Sequence, residues 1–533
     1  MKNNQLKWFA FALIFNLGTI ATPLFAQIQP ASELKSNEPT KQAVGEKSNN
    51  QESNSELDPN PKIHTIPAKF SKESIVYVKD FRTLTVFATK DEEVYIATTY
   101  HQITHINDDK GIEMANTTVL STPYQGSIIE MEARTIKKNG TVIEVKNESV
   151  KINKDEYEND QYHIAYEDLS VGDEVEIFYT EVRPFKAFGT EIMQYGVASM
   201  HSKFELKVPV KVEYKLKGYN GFTNFTETSN EETGYKSYIA EQNDIPSLDD
   251  EKYASLKPNI MRVEYRLSKT PGSAALLNTW NDFAKDTYVR ITEFTKEELK
   301  AVDKFLKGLS LSKDLSEREK VIALEKKIKT EYVFNEELYQ QEYRNLVKVL
   351  QDKTSGEFGY VRLFAAALQQ LGIEFELAMG ANKFEYPIDK DFSNWYRPQE
   401  FLIYLPNLKE YLAPSYSTLR FPIIPSGLRN SDILVFSVMK YGNVSSATAK
   451  FNKIPREKGD YSLHNTYANV KIDPTNLQTT VDMKNTFTGY SALGLREAFT
   501  YYKPDQQKEL VEELSYIVKQ PEDILDFKSA NND

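Results

Sequence analysis

The apolar pattern of this 533-residue chain changes period close to residue 270, which calls for two kinds of folded unit in series. From Ile63 to about Thr270 apolar residues alternate in short runs separated by turn residues, as in Glu93 to Ile106, Thr117 to Leu120, Gly126 to Ile136 and Glu174 to Val182. Alternation puts every second side chain on one face, so these runs predict an all-β domain. From about Ala274 the spacing becomes helical, first in Trp280 to Phe294, then Lys296 to Gly308, then Ser316 to Tyr332. Ser316 and Glu319 have capping-box spacing, and Val321, Leu324 and Ile328 follow on one helical face. No internal repeat is apparent, which argues against a solenoid or propeller.

The turn chemistry of the β region supports that division. Lys138-Asn139-Gly140-Thr141 predicts a two-residue hairpin, since Asn-Gly accepts the positive φ angles such a turn needs. Ser170-Val171-Gly172-Asp173 predicts a second turn. Asn107-Asp108-Asp109-Lys110-Gly111 reads as a hairpin tip; its oxygens suggest calcium, but the later glutamate of a calcium loop is missing.

The N-terminal sequence predicts export. Lys2 and Lys7 precede an apolar run from Trp8 to Leu17, and Leu24-Phe25-Ala26 forms a small-residue exit, so residues 1–26 are expected to be a signal peptide cleaved after Ala26. The run is shorter than the roughly 20 apolar residues of a membrane span. Residues 27–61 are almost devoid of aliphatic side chains and predict a disordered tether. With no cysteine in the chain, disulfides and a lipid-modified cysteine are both excluded, and the expected location is periplasmic or secreted, not that of a lipoprotein. A net charge of -12 and the lack of a basic patch disfavour nucleic acid and anionic membranes as partners.

The segment Thr354 to Ile373 predicts a helix with an apolar stripe at Phe358, Val361, Ala365 and Leu368 and a stop at Gly372. Ile373, Phe375, Leu377 and Met379 then alternate as a half-buried strand. This helix, stop and strand resemble the core of transglutaminase-like domains, in which a Gly-Asp-Cys motif opens a helix ending in Leu-Gly-Ile. Thr279-Trp280-Asn281-Asp282-Phe283-Ala284 and the helix from Lys320 to Tyr332 resemble those that come before the motif. Glu400-Phe401-Leu402-Ile403-Tyr404 resembles the family's histidine-bearing strand, and Tyr411-Leu412-Ala413-Pro414-Ser415 its Trp-Leu-Asp-Pro-Thr strand. Upstream, Glu132 to Val145 is similar to a bacterial domain of unknown function that comes before such domains in exported proteins. The resemblance spans about Val76 to Phe421.

It implies a multidomain α+β protein: a sandwich-like β domain over 62–270, a papain-like α+β domain over 274–456, and a partial β-rich C-terminal segment over 457–533. In that last segment Thr466 to Ile472 and Thr479 to Phe487 predict strands, and Asp505 to Lys519 a helix. The resemblance also places Glu357 in the cysteine slot, Glu400 in the histidine slot and Ala413 in the aspartate slot. Acyl transfer of this type needs a thiolate, an imidazole to move the proton and a carboxylate to orient it, and all three roles are vacant. None of the six histidines lies between His201 and His464, so a shifted register does not restore the triad. Ser355 lies near the slot without a base.

Glu357 has an ordinary explanation in a Thr354-x-x-Glu357 capping box. The sharper expectation is that Glu357 and Glu400 meet in the cleft, where two carboxylates would raise one pKa or hold a cation. His101 and His105 would share a strand face and are expected to be solvated, without forming a helical ligand pair; no metal or other cofactor is expected. Phe392, Trp395 and Tyr396 fall in a loop before Glu400, where they would either stack on a sugar or peptide or form local core. The expected function is a non-catalytic envelope protein binding or scaffolding an extended peptide or glycan, with an envelope protein as a further candidate partner. The alternative is a hydrolase using Glu357 and Glu400 as an acid and base pair.

Overall fold

The structure is a computed structural model that describes residues 57–530 except 90, 124, 223–224, 231, 249–250, 253, 442–443 and 517–523. The expected signal peptide and residues 27–56 of the expected tether lie outside the described residues. The chain forms two compact units; the first runs to Thr279 and takes in Asp391–Tyr396, while the second comprises Trp280–Lys390 and continues from Arg397.

In the first unit an eight-stranded sheet has the order Phe225–Asn230, Tyr235–Ile245, Ala198–Pro209, Ile75–Ala88, Val94–Ile106, Glu174–Pro184, Ser127–Ile136, Val142–Glu144. Only Ile75–Ala88 and Ala198–Pro209 run parallel. Two three-stranded sheets accompany it. Alternation in the long strands directs Leu84, Ile96, Phe204 and Leu206 into one apolar cluster with Tyr214, Val263 and Tyr265 of the Glu213–Tyr219, Arg262–Lys269, Phe188–Ile192 sheet. It directs Ile106, Ala133 and Ile177 into another with Leu120, Tyr162 and Ile164 of the Thr117–Ser121, Asp160–Ala165, Lys151–Lys154 sheet. Burial of such large side chains, at roughly 1.5–3 kcal/mol each, is what holds the sheets together.

Three local expectations change. The Asn139-Gly140 turn is longer than two residues: Lys137 N–H donates to the Thr141 carbonyl at 2.8 Å, and of the pair only Gly140, at φ 87, is left-handed. Asn139 instead uses its side chain, accepting from Thr141 N–H at 2.9 Å. Asn107 to Gly111 is not a hairpin tip, because Asp108 accepts from Gly111 N–H and caps the short helix Asp109–Ala115. The last residues of the expected tether are anchored, since Leu57 is only 6% exposed and Asp58 O accepts from Arg134.

His101 and His105 do share a face, but it is not solvated. His101 Nε2 lies 2.6 Å from Glu176, and Glu174 is shared by His105 and His64, each at 3.0 Å. Glu174 is fully buried, and its bonds to His105 and His64 outweigh that burial and hold its pKa down to about 2. The Glu174 bond raises the pKa of His64. The carboxylate contribution is present above about pH 4.5 and lost as pH falls towards 2; the His64 contribution is complete below about 6.5 and lost as pH rises through its raised value. His64 N–H also donates to Glu174 at 2.9 Å, so exchange of that amide, corrected for its intrinsic rate, is expected to be roughly fivefold faster at pH 8.5 than at pH 6, and at pH 6 faster by a similar factor in His64→Ala.

The second unit has a five-stranded antiparallel sheet ordered Glu410–Leu412, Glu400–Leu405, Glu376–Gly380, Asp432–Tyr441, Val444–Lys453, with the helices Trp280–Thr292, Lys296–Gly308, Glu317–Glu331, Leu346–Asp352 and Glu357–Gln370. The expected capping box at Ser316 and Glu319 is present. Strand Glu376–Gly380 is central, so Leu377 to Gly380 are buried on both faces where one buried face was expected. The Glu357–Gln370 helix is likewise not merely striped: every residue from Gly359 to Leu368 is buried. Beyond them, strands His464–Asp473 and Gln478–Phe487 form an exposed hairpin, followed by helices Leu493–Tyr501 and Pro504–Leu514. Among the described residues no helix is long and apolar enough to cross a membrane.

Candidate functional site

The first turn of the Glu357–Gln370 helix is set by the strand before it. Thr354–Ser355 pairs in parallel with Val333–Phe334, and Thr354 Oγ1 donates to Val333 O at 3.0 Å. This pairing overrides the expected capping box: the N-cap is Gly356, without a side-chain bond, and Glu357 is the first helical residue. Gly356 must be glycine because a Cβ there would lie 2.2 Å from Leu338 O. Ser355 is fully buried with Oγ donating to Tyr343 O at 2.8 Å, which takes it out of consideration as a nucleophile.

Glu357, freed from capping, meets the sheet. Strand Glu400–Leu405 pairs with Glu410–Leu412 so that Ile403 opposes Leu412, and residues 413–416 follow directly. Ser415 Oγ donates to Glu357 Oε1 at 3.1 Å, while Tyr416 Oη donates to Glu400 Oε2. Burial drives the Glu357 pKa up to about 8, and repulsion from Glu400 adds to it; the bonds from Ser415 and from Phe401 N–H oppose the rise. Burial also raises Glu400, opposed by its Tyr416 bond. Tyr416 is raised by burial and by the adjacent Glu400 carboxyl, so at neutral pH it remains a donor. Both glutamates keep part of their surface in solvent. The arrangement is a carboxyl pair in which burial and the neighbouring acid both oppose a second negative charge, so that Glu357, at about 8, is largely protonated at neutral pH and can donate a hydrogen bond.

The structure thus brings Glu357 and Glu400 into electrostatic contact. Of the two consequences expected from that, the raised pKa appears; among the described residues no group of three His, Cys, Asp or Glu side chains could hold a metal ion. Ala413, expected in the aspartate slot, is 1% exposed within an apolar cluster containing Leu402, Leu419 and Val435. Its carbonyl accepts from the buried Lys329 Nζ at 2.8 Å, and Lys329 is neutralised by Glu325 at 2.8 Å. Sequence reasoning missed Ser415 and Tyr416 as partners of the pair. Their signal was position, Ser415 as the last residue of the Tyr411 to Ser415 motif and Tyr416 directly after it.

Phe392, Trp395 and Tyr396 are not a free stacking platform. Phe392 is 4% exposed, and Trp395 and Tyr396 pack on Phe188 in the core of the β unit, with ring centroids at 5.5 and 5.6 Å. Asn394 Nδ2 donates to Glu264 at 2.7 Å and Ser393 Oγ to Asn278 O at 2.7 Å, so the polar residues of the loop are tied down as well. Phe392 is buried and Trp395 and Tyr396 are partly buried against the apolar cluster around Phe188, so the three rings form local core, the other expectation for this loop.

Residues 96–249 match the family described as a domain of unknown function with a solved structure, DUF3857. This accords with the domain of unknown function expected from the Glu132 to Val145 hairpin. No curated protein matches the chain. Among solved structures, the chain is similar to a presumed protease from Parabacteroides distasonis, 14% identical, covering 72% of each chain with a TM-score of 0.48. It is also similar to an M1 zinc metallopeptidase from Deinococcus radiodurans, 11% identical over 36% of this chain and 42% of that one, with a TM-score of 0.23. A leukotriene A4 hydrolase from Saccharomyces cerevisiae is 10% identical over 40% of this chain and 32% of that one, with a TM-score of 0.22.

Proposed function

We propose that this chain is a non-catalytic transglutaminase-like protein of the cell envelope whose cleft at Glu357 and Glu400 binds an extended peptide or glycan. One observation carries the reading: where the resemblance calls for a thiol and an imidazole stand two carboxyl groups, each bonded to a hydroxyl, of Ser415 and Tyr416. A carboxyl pair cannot supply a base-activated thiolate. It does supply a donor at Glu357 and an acceptor at Glu400, the two functions that orient an amide or a sugar hydroxyl.

The test is an assay of the mature protein for amine incorporation and amide cleavage, alongside calorimetry with a casein-derived peptide and with tetra-N-acetylglucosamine. No turnover is expected, with saturable binding of one probe that weakens about tenfold in Glu400→Gln. Turnover that declines in Glu357→Ala, or binding of neither probe, would overturn the proposal.

The second reading, a hydrolase, is favoured by the Glu357 pKa of about 8 beside a second carboxyl, as in acid and base pairs. Under it, hydrolysis of nitrophenyl glycosides is expected to be measurable and to fall about a hundredfold or more in Glu357→Gln. A rate equal to the uncatalysed one excludes this reading for those substrates.

A further inference from the structure

A second cleft, of about 640 Å³, opens in the helical unit and is lined by Phe358 and Arg362, one helical turn apart on the Glu357–Gln370 helix, together with Phe294 and Arg344. Two guanidinium groups stack on its two rings: Arg362 lies 5.1 Å from the Phe294 centroid and Arg344 lies 4.8 Å from that of Phe358. The two arginines differ in what else they bind. Arg362 is saturated, with Nε on Arg344 O at 2.9 Å, Nη1 on Arg290 O at 2.7 Å, and Nη2 on Glu298 at 2.9 Å.

Arg344 has none of this. Its Nε is buried without a hydrogen-bond partner, and it forms no ion pair among the described residues. Glu298, the buried acid of the cleft, is already occupied by Arg362, Thr295 N–H and Leu346 N–H. Glu293 and Glu342 also line the cleft, but both are exposed and neither pairs with Arg344. Burial, together with repulsion from Arg290 and Arg362, pulls the Arg344 pKa down, a penalty that an anion would relieve.

We propose that this cleft is a binding site for an organic carboxylate, with Arg344 engaging the carboxylate and Phe358 and Phe294 covering an apolar body attached to it. A planar guanidinium matches a carboxylate edge to edge with two parallel bonds, and aromatic walls favour a carboxylate on an apolar body over a small inorganic anion. The volume is that of a small-molecule pocket. A free acid and the terminal carboxylate of a peptide share this chemistry. Neither Glu357 nor Glu400 lines this cleft, so the carboxylate site does not rest on the function proposed above.

The experiment is calorimetry of the mature protein with N-acetyl-phenylalanine and N-acetyl-Ala-Ala-Phe, each as free acid and as C-terminal amide. The acids are expected to bind saturably and the amides at least tenfold more weakly. Arg344→Gln is expected to weaken acid binding at least tenfold and abolish that discrimination, with its thermal midpoint near wild type, whereas Glu400→Gln leaves it intact. Binding of the small acid alone assigns the site to free acids, and binding of both acids extends it to chain ends. No saturable binding of either acid by wild type, equal binding of acids and amides, or discrimination that survives Arg344→Gln would each overturn the proposal. The wild-type comparison decides the matter even if the variant fails to fold.

Discussion

Replacing Arg362 by methionine is expected to destabilise the helical unit by about 3–5 kcal/mol, the cost of leaving one partner of a buried ion pair unpaired. Arg362 pairs with Glu298 at 2.9 Å and is buried. It also donates to the carbonyls of Arg290, Ile291 and Glu293, at and just beyond the end of the Trp280–Thr292 helix, and to that of Arg344. Methionine keeps the apolar contact of the aliphatic stem but supplies no donor, so these carbonyls and the Glu298 carboxylate lose their partner together. Urea denaturation followed by tryptophan fluorescence would measure the loss. Adding Glu298→Gln is expected to return part of it, because the buried charge disappears while the single amide oxygen still accepts from one of the two N–H groups, of Thr295 or Leu346, that the carboxylate holds. A change below about 1 kcal/mol in the single variant would mean that Arg362 is not the tie the geometry describes.

The second large effect is a fall in stability with rising pH, opposite in sign to the usual carboxylate effect. Glu357 has a folded-state pKa of about 8, against an ordinary value of 4.5. Between these values the folded state holds a proton that the unfolded chain has released, so each unit of pH removes stability, at a rate on the order of 1 kcal/mol. Below about 4.5 both states are protonated and the effect vanishes; above about 8 both are ionised and it saturates. Glu357→Gln keeps a neutral, similarly shaped side chain and is expected to be flatter than wild type across this window and more stable than it at pH 8. The comparison needs only unfolding curves of the two proteins at pH 5, 6.5 and 8. Parallel pH dependence in the two would show that Glu357 releases its proton on the same terms folded as unfolded.

Much of this organisation could be read from local pattern. The change of period near residue 270 marks the passage from strands to helices, and Gly372, at φ 67, ends the helix where its neighbours suggested. The Ser316 cap was legible because its partner, Glu319, is three residues away and nothing competes for either. The Thr354 cap was misread because a distant segment, Val333–Phe334, pairs with residues 354–355 and holds them extended. Phe392, Trp395 and Tyr396 look like a surface loop along the chain, yet their packing partner, Phe188, is some two hundred residues upstream. Strand burial shows the same limit: alternation in residues 373–379 announced a strand, but not its central place between two others. The meeting of Glu357 with Glu400 could be proposed only through the resemblance, since no local rule links a helix start to a strand that begins 43 residues later. Arg344 left no trace in the sequence, because its lack of a partner depends on which acids the fold assigns to Arg362 instead.

The most direct measurement is isotope-edited infrared titration of the glutamate carboxyls, comparing wild type with Glu357→Gln. A protonated carboxyl band that persists to about pH 8 and is missing from the variant is the predicted result. A wild-type spectrum that matches that of Glu357→Gln from roughly pH 5.5 to 8 would contradict the account, because Glu357 would then be an ordinary carboxylate.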